Sequence, residues 1–287
     1  MRIGAHVSAS GGLVKAIANA QRLGCESLQM FVSNPRGWAR PVADPASDER
    51  FRSLVAEAGL GPVFVHAPYL VNLASASEPN RRRSCSLLVA TLERGVSVGA
   101  AGVVVHAGSD MGEGRERGLA RTRGAVLPLL DSTSAPDLVL ELTAGTRGDL
   151  AARFDQMAEL LAALGDHPRV KVCFDTCHAH AAGYDLSGPE TARASLDDLF
   201  AVLGDRVALV HANDCAEPRG ARRDHHAPIG AGEIGLAGFA AILAHPGIAG
   251  LPVVIETPGT EEERAADVAR LRTMAAATRT AEVAPRG

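Results

Sequence analysis

The stretch that decides the fold is VKVCFDTCH, residues 170–178. Its first part is apolar apart from Lys171, and the run ends on Asp175, with His178 three residues later. A nearly continuous apolar run is typical of a parallel strand that is buried on both faces, whereas a half-exposed strand alternates apolar and polar residues. The stretch therefore predicts a buried parallel strand with an acid at its carboxyl end and a histidine just beyond it.

The same organisation recurs along the chain, which indicates a repeating βα unit. Eight short apolar runs are predicted strands: residues 3–7, 27–32, 63–66, 102–106, 138–141, 170–175, 207–211 and 253–256. Helical stretches are predicted between them: residues 12–23, 48–58, 80–98, 149–164, 189–203, 237–244 and 261–277. Eight such units predict an α/β fold, a single-domain (β/α)8 TIM barrel, with an open doubly wound sheet as the alternative. We expect the barrel to span residues 1–280 and a loose tail to span 281–287.

Composition limits the class of protein. Of the 287 residues, 46% are hydrophobic and 22% are charged, which suffices for a large core and excludes fibrous and disordered classes. No apolar run reaches the roughly 18 residues of a membrane helix, so we expect a cytoplasmic protein without membrane association. Five cysteines fit reduced thiols rather than a disulfide framework. The net charge of −4 provides no general basic field for nucleic acid, which is weak evidence against such a partner.

Histidines and acids gather at the carboxyl ends of the predicted strands, where TIM-barrel enzymes form their active sites. Nine residues belong to this set: His66, His106, Glu141, Asp175, His178, His211, Asp224, His226 and Glu256. Without cations, so many carboxylates and imidazoles would repel one another or shift their pKa values, whereas divalent cations would neutralise the acids and bind the imidazoles. Because one zinc takes roughly three or four protein ligands, nine imply two or three ions. Zinc suits these ligands best, with manganese or iron as substitutes.

Three nearby residues have less specific patterns. His6 ends the first predicted strand on the same face, where it would support a metal ligand or contact the substrate. Cys173 and Cys177 lie beside the ligands, but no second cysteine pair accompanies them. We expect these two cysteines to be small buried apolar residues.

The segments that carry these ligands resemble the endonuclease IV family of apurinic/apyrimidinic-site endonucleases. The resemblance extends from Gly4 to Glu256 and rests on long, ordered motifs. These motifs are HAPYLVNL at 66–73, FDTCH at 174–178 with AGYD at 182–185, HAND at 211–214, DHH at 224–226 and IGAG at 229–232. The resemblance implies a TIM barrel that binds three zinc ions and hydrolyses the DNA phosphodiester 5′ to an abasic site, leaving a 3′-hydroxyl. Removal of 3′-blocking groups is expected at the same site.

The resemblance also implies ligands for each ion. The first zinc would be held by His66, His106 and Glu141, the second by Glu141, Asp175, His211 and Glu256, and the third by His178, Asp224 and His226. Glu141, which would bridge two ions, and Glu256 are the expected catalytic carboxylates. The implied mechanism is the attack of a hydroxide between two zinc ions on phosphorus, with the remaining zinc stabilising the departing oxygen.

The expected partner is double-stranded DNA that contains an abasic site, bound by a monomer. Arg36, in the loop after the second predicted strand, and Tyr69 and Leu70, after the third, match positions where the family inserts side chains into the duplex. Trp38 has two interpretations, DNA contact or loop packing. His225 stands between two expected ligands at a position where the family has arginine, and we expect it to face DNA phosphate rather than bind zinc.

The chain departs from the family pattern at six positions, none of which is a ligand. They are Ala107, Leu142, His180, Ala216, His225 and Ala231. These departures put in doubt the groups that support the ligands and the DNA contacts more than the chemistry. Two alternatives stay open. One is a sugar isomerase or epimerase of the xylose-isomerase-like barrels, which also place histidine and acid ligands at strand ends but use one or two metals. The other is an abasic-DNA-binding protein in which these departures have abolished catalysis.

Overall fold

The computed structural model describes residues 1–132 and 136–283, and its centre is a closed barrel of eight parallel strands. The barrel strands are β1 (Arg2–His6), β2 (Ser27–Phe31), β3 (Val63–His66), β4 (Gly102–His106), β5 (Asp137–Glu141), β6 (Val170–Asp175), β7 (Val207–His211) and β10 (Pro252–Ile255). Two further strands, β8 (Asp214–Cys215) and β9 (His226–Ala227), form a separate antiparallel hairpin. Neighbouring barrel strands follow chain order, and β10 pairs with β1 to close the barrel. This closure confirms the TIM barrel, and the open-sheet alternative is wrong.

Helices surround the barrel. They are α1 (Leu13–Arg22), α2 (Pro45–Glu57), α3 (Glu78–Ser97), α4 (Arg115–Ser132), α5 (Phe154–Ala163), α6 (Thr176–Ala182), α7 (Pro189–Leu203), α8 (Gly235–Ala244) and α9 (Glu261–Val283). α4 is missing from the sequence prediction because Gly124 and Pro128 interrupt its helical pattern. α5 begins five residues later than predicted, because the Asp149 side chain instead accepts hydrogen bonds from Thr146 in a turn.

The last helix enters the segment that the sequence predicted as a tail, since α9 continues to Val283. Residues 284–287 of that predicted tail lie outside the described residues. Among the described residues, no helix combines the length and the apolar character that crossing a membrane requires.

The barrel interior places the polar strand ends on one surface. Six buried residues form an inner cluster separate from the large core: Phe64, Val104, Val139, Cys173, Leu209 and Val254. Two residues after each of them come His66, His106, Glu141, Asp175, His211 and Glu256. Because successive side chains of a strand point to opposite faces, residues two apart share a face. The six histidines and acids therefore stand on the apolar floor that the inner cluster forms.

Strand register brings these residues to the same level. His106 pairs with Glu141 across β4 and β5, and Asp175 pairs with His211 across β6 and β7. Parallel strands in this register direct all of their carboxyl ends to one mouth of the barrel. Ligand residues that are far apart in sequence thus meet within a few ångströms.

A buried carboxylate holds the segment after the hairpin of β8 and β9. Asp214, which is fully buried, accepts hydrogen bonds from backbone N–H groups. The donors are Cys215 at 2.8 Å, Gly230 at 2.8 Å, Gly232 at 3.1 Å, Ile234 at 3.0 Å and Gly235 at 3.3 Å. One side chain thereby connects the hairpin, which carries His226, to the start of α8.

We expect Asp214→Asn to destabilise the protein. The amide has one acceptor oxygen in place of two, so it leaves buried N–H donors without partners, and the free energy of unfolding should fall by about 3 kcal/mol. Denaturant unfolding measures this value. Asp205→Asn, at an exposed position, is the control and should change it by less than about 0.5 kcal/mol. Equal unfolding free energies for the two variants would show that the Asp214 network does not stabilise the fold.

Candidate metal centre

Glu141 occupies the centre of the barrel mouth. Its carboxylate is fully buried, and its Oε2 atom lies 3.1 Å from His66 Nε2 and 3.3 Å from His106 Nε2. The potential ligand atoms of these three residues all lie within 4.8 Å of one another. This first group comes from the ends of β3, β4 and β5.

A second group shares Glu141 with the first. His211 Nδ1 lies 3.0 Å from Glu141 Oε1, 3.3 Å from Glu256 Oε2 and 3.7 Å from Asp175 Oδ2. Three carboxylates thus surround one imidazole nitrogen, again within 4.8 Å. The two oxygens of Glu141 face different groups, which is the geometry that a bridging ligand requires.

A third group lies towards the rim. Asp224 Oδ1 lies 3.2 Å from His178 Nε2 and 3.1 Å from His226 Nε2. α6 carries His178, and Asp175 caps this helix by accepting a 2.8 Å hydrogen bond from the His178 N–H. The structure thereby brings together all nine residues that the sequence singled out, in the three groupings that the resemblance implied.

The imidazoles are oriented as metal ligands usually are. In three of them, one nitrogen faces the carboxylates and the other contacts an oxygen that can only accept. These acceptors are Ala67 O for His66 at 2.7 Å, Leu142 O for His178 at 2.8 Å and Gln29 Oε1 for His211 at 2.9 Å. In a neutral imidazole, an acceptor there fixes the proton on the outer nitrogen and leaves the inner nitrogen with a lone pair for a cation. The residues therefore fit divalent cations.

The charges of the site also favour a cation. Burial alone would raise the pKa of Glu141, but the nearby imidazoles of His211 and His106 lower it well below its ordinary value. Burial would likewise lower the pKa of His226, but the Asp224 carboxylate, 3.1 Å from its Nε2, raises it to about 9. In both pairs a buried acid and a buried imidazole stabilise each other's charged form. A divalent cation would stabilise the carboxylates in the same way, and it would bind the imidazoles in their neutral form.

Two supporting residues were not assigned a role from the sequence. Gln29 donates from Nε2 to Glu256 Oε1 at 2.7 Å, in addition to its contact with His211. Asn213 donates to Asp175 Oδ2 at 2.7 Å, and its Oδ1 accepts from the Glu256 N–H at 2.7 Å. A signal for Gln29 was present, since it is the one amide in the buried strand SLQMF.

His6 supports the same carboxylate. Its Nδ1 lies 3.2 Å from Glu256 Oε1 and 3.0 Å from Gln29 Nε2, and its ring packs on Phe31 with centroids 4.4 Å apart. His6 does not belong to any of the groups of described residues that could hold a metal. Its ring thus contacts the Glu256 carboxylate and lies outside the potential ligand groups of the described residues.

Cys177 is a thiol close to the ligands of the third group. It lies within 4.8 Å of ligand atoms of Asp175 and His226, and both Cys177 and Cys173 are fully buried. The hydrogen bond with Cys215, together with burial, raises the pKa of the Cys177 thiol far above its ordinary value. A protonated thiol is a poor ligand, which agrees with the expectation of small buried apolar side chains.

The residues expected to contact DNA lie around the mouth. Arg36 is exposed. Tyr69 and Leu70 are 56% and 37% exposed although their side chains are aromatic and aliphatic. The Tyr69 N–H donates to Pro35 O at 3.1 Å, which joins the loops after β2 and β3. Trp38 instead packs against the core, as its loop-packing interpretation requires.

His225 and His226 have different surroundings although they are adjacent. His226 belongs to the third group, whereas the His225 side chain is 65% exposed and its Nδ1 lies 2.7 Å from Glu217 Oε1. His225 directly precedes β9, and successive side chains of extended backbone point to opposite faces. His225 thus faces away from the metal centre and towards an acid.

The departures from the family pattern spare the ligand geometry. The backbone carbonyl of Leu142, rather than its side chain, accepts the hydrogen bond from His178. Ala216 and Ala231 are exposed, and Ala107 is buried. His180 is also buried, and its Nδ1 has no hydrogen-bond partner among the described residues.

A closed parallel barrel with three groups of potential cation ligands at one mouth defines a TIM-barrel protein with a candidate metal centre. Residues 17–274 match the family model of the xylose isomerase-like TIM barrel. The chain is 47% identical over 277 residues to the probable endonuclease 4 of Streptomyces coelicolor, with 94% of each chain covered. It is 37% identical to that of Methanoculleus marisnigri, with 96% of this chain and 99% of the other covered.

Structural comparison agrees. The crystal structure of endonuclease IV from Thermus thermophilus superimposes with a TM-score of 0.85 at 36% identity, covering 96% of this chain and 98% of that one. The chain therefore belongs to the endonuclease IV family. A D-tagatose 3-epimerase-like protein superimposes with a TM-score of 0.74, but at 18% identity this likeness concerns the fold alone.

We expect Gln29→Met to weaken metal binding without unfolding the protein. Methionine has a similar shape but cannot accept from His211 or donate to Glu256, and loss of such supporting contacts costs about 10- to 100-fold in metal affinity. Competition with a chelating dye measures this affinity. Gln21→Met, at an exposed position of α1, is the control. Equal affinities in both variants would contradict the supporting role of Gln29.

We expect His226→Ala and His225→Ala to differ in metal content. His226→Ala removes one of three ligands of the third group, so it should lose roughly one metal ion per chain. His225→Ala removes an exposed partner of Glu217 and should keep all metals. Elemental analysis after dialysis measures the content, and loss of metal from His225→Ala alone would reverse the two assignments.

Proposed function

We propose that the protein is a metal-dependent DNA repair endonuclease that hydrolyses the phosphodiester 5′ to abasic sites and leaves a 3′-hydroxyl. The observation that carries this proposal is the cluster of three cation-binding groups joined through Glu141 at one barrel mouth. The relatives named endonuclease 4 and the Thermus endonuclease IV support it. The same site would also remove blocking groups from 3′ ends, because the bond that is broken is again a phosphate ester.

We assign the three ions as zinc, with manganese or iron as substitutes. The ligands would be His66, His106 and Glu141 for the first ion, Glu141, Asp175, His211 and Glu256 for the second, and His178, Asp224 and His226 for the third. Mixed imidazole and carboxylate ligands are typical of zinc. Bound ions would supply Lewis-acid stabilisation of phosphate charge and would lower the pKa of water to about 7.

The two central carboxylates have different tasks. Glu141 is fully buried between two groups and holds them at a fixed separation. Glu256 remains 16% exposed in its side chain, so it reaches the open part of the mouth where substrate enters. Three groups fix its orientation: the Gln29 amide, the His6 ring and the Asn213 oxygen that accepts its backbone N–H. An oriented carboxylate of this kind can hold a water molecule towards phosphorus.

The exposed loops would select the damaged site. The Tyr69 ring lies 5.9 Å from the His66 ring and 6.0 Å from the His106 ring, so it stands over the first group. Arg36 and Leu70 belong to the same pair of loops. An abasic site lacks the stacking of one base, which makes it cheaper to open than an intact pair, and apolar side chains can fill the gap. Selectivity would thus come from the deformability of the lesion.

The sugar isomerase or epimerase alternative is not favoured. The third group, with Asp224 and His226 on a long loop, exceeds the one or two metals of that class. Tyr69 and Leu70 are also exposed at the mouth, where they can contact a large substrate such as DNA. A binding protein without catalysis would share the geometry, and only turnover distinguishes it.

Incubation of the purified protein with an end-labelled duplex that contains one abasic site tests the proposal. The expected product is a strand cut 5′ to the lesion, whose end a DNA polymerase can extend because it carries a 3′-hydroxyl. Undamaged duplex should remain intact, and a chelator should abolish cutting. Binding of the abasic duplex without any cut by metal-loaded protein would favour the non-catalytic alternative.

We expect Glu141→Gln to lose both metal and cutting. A neutral amide does not bridge two cations and does not offset their charge, so cutting should fall by at least about 100-fold. Glu57→Gln, at an exposed position of α2, should retain both properties. Cutting near the wild-type rate by Glu141→Gln with two or more bound metals would rule out the bridging role.

A further inference from the structure

A cavity lies beside the third group, between the loop after β5 and the loop that joins β8 to β9. It has a volume of about 720 Å³, and three of its lining residues are arginines: Arg147, Arg153 and Arg222. None of the residues that line it belongs to the metal centre. Gly145 and Gly148, with positive φ angles of 86° and 85°, allow the loop after β5 to turn around it.

The cavity has an excess of positive charge. Arg153 is paired with Asp155, with its Nε atom 2.9 Å from Oδ1. The carboxylate of Asp149 accepts from the N–H and the hydroxyl of Thr146, both at 2.8 Å, so its charge is held within its own turn. Among the described residues, no side chain or carbonyl pairs with the guanidinium groups of Arg147 and Arg222. These two cations therefore lack a counter-charge within the part of the chain that the structure describes.

The backbone fixes Arg222 at this place. Its N–H donates to Ala181 O at 2.9 Å, and the Gly220 N–H donates to His180 O at 3.0 Å. Both acceptors lie in α6, the helix that carries His178, and Arg222 precedes Asp224 by two residues. The φ angle of Arg222 is +57°, a conformation that costs energy for a residue other than glycine. The backbone of Arg222 is thus anchored to the helix that carries His178, and its exposed side chain extends from this fixed point.

We propose that Arg147 and Arg222 bind a backbone phosphate of the DNA strand outside the metal centre. The inference rests on the proposed function, because it assumes that DNA lies across this face. A guanidinium group presents parallel N–H donors that match two phosphate oxygens. The cavity is larger than one phosphate needs, so the adjoining sugars of a continuous strand fit as well. Such a contact fixes the register of the duplex and does not read its sequence.

The test measures the affinity of Arg147→Gln, Arg222→Gln and the double variant for an abasic and an undamaged duplex over a range of salt concentrations. Each single variant should bind both duplexes about tenfold more weakly at low salt. The slope of log affinity against log salt should become shallower by about 0.9 for each phosphate contact that is lost. Arg193→Gln, an exposed arginine of α7 outside the cavity, is the matched control and should change neither value.

Three outcomes of these measurements would overturn the proposal. They are an unchanged salt slope in the double variant, an equal loss of affinity in Arg193→Gln, and loss of bound metal in the cavity variants, which would trace the defect to the third group. Competition with inorganic phosphate separates a DNA contact from a site for the free anion: weaker phosphate binding with unchanged duplex binding would also overturn it. Failure of the wild-type protein to cut abasic DNA, with the salt effect intact, would reject the proposed function and retain this site.

Discussion

The rest of the site depends on one buried carboxylate at the end of β5. Glu141 has no exposed surface, and its two oxygens face the imidazoles of different strands, His66 and His106 on one side and His211 on the other. A buried charge of this kind is costly unless opposite charges surround it. Protonated imidazoles can supply these charges, and so can divalent cations. The barrel therefore buries the Glu141 carboxylate at a place where positive charge stabilises it. The neighbouring histidines and acids surround this carboxylate at distances that suit cation binding.

The barrel meets this requirement by combining two periodicities. Along each strand, the alternation of faces places a histidine or acid two residues beyond an apolar residue of the inner cluster, as with Val139 and Glu141. Between strands, the parallel register levels Glu141 with His106 and Asp175 with His211. The inner apolar cluster lies directly beneath the potential ligands. These ligands come together because the carboxyl ends of all the barrel strands open at the same mouth. The same strands therefore supply one layer of apolar side chains to the core and, two residues further on, one layer of polar side chains to the site.

Beyond the strands, polar contacts with the backbone position the remaining groups. Asp214 gathers the N–H groups after the hairpin, and Asp175 caps α6 while it faces His211. These contacts place His178, Asp224 and His226 in a third group although none of the three lies in a barrel strand. The loops that carry them also form the rim, where Tyr69 stays exposed and where the cavity around Arg147 and Arg222 opens.

The sequence by itself determined the eight buried strands and the acids and histidines at their ends, because both follow from local patterns: continuous apolar runs and a polar residue at a regular place after them. It also led to the family, since long motifs such as 174–178 are specific. The tertiary structure decided what depends on residues far apart in the chain. Gln29 and His211 are separated by 182 positions and are in contact only because the barrel closes. Likewise, no local pattern indicates that Arg147 and Arg222 line the same cavity. The helix α4 also needed tertiary contacts, because packing outweighs the weak propensity that Gly124 and Pro128 impose. Local patterns specify which residues end a strand, whereas closure and loop packing specify which of them touch.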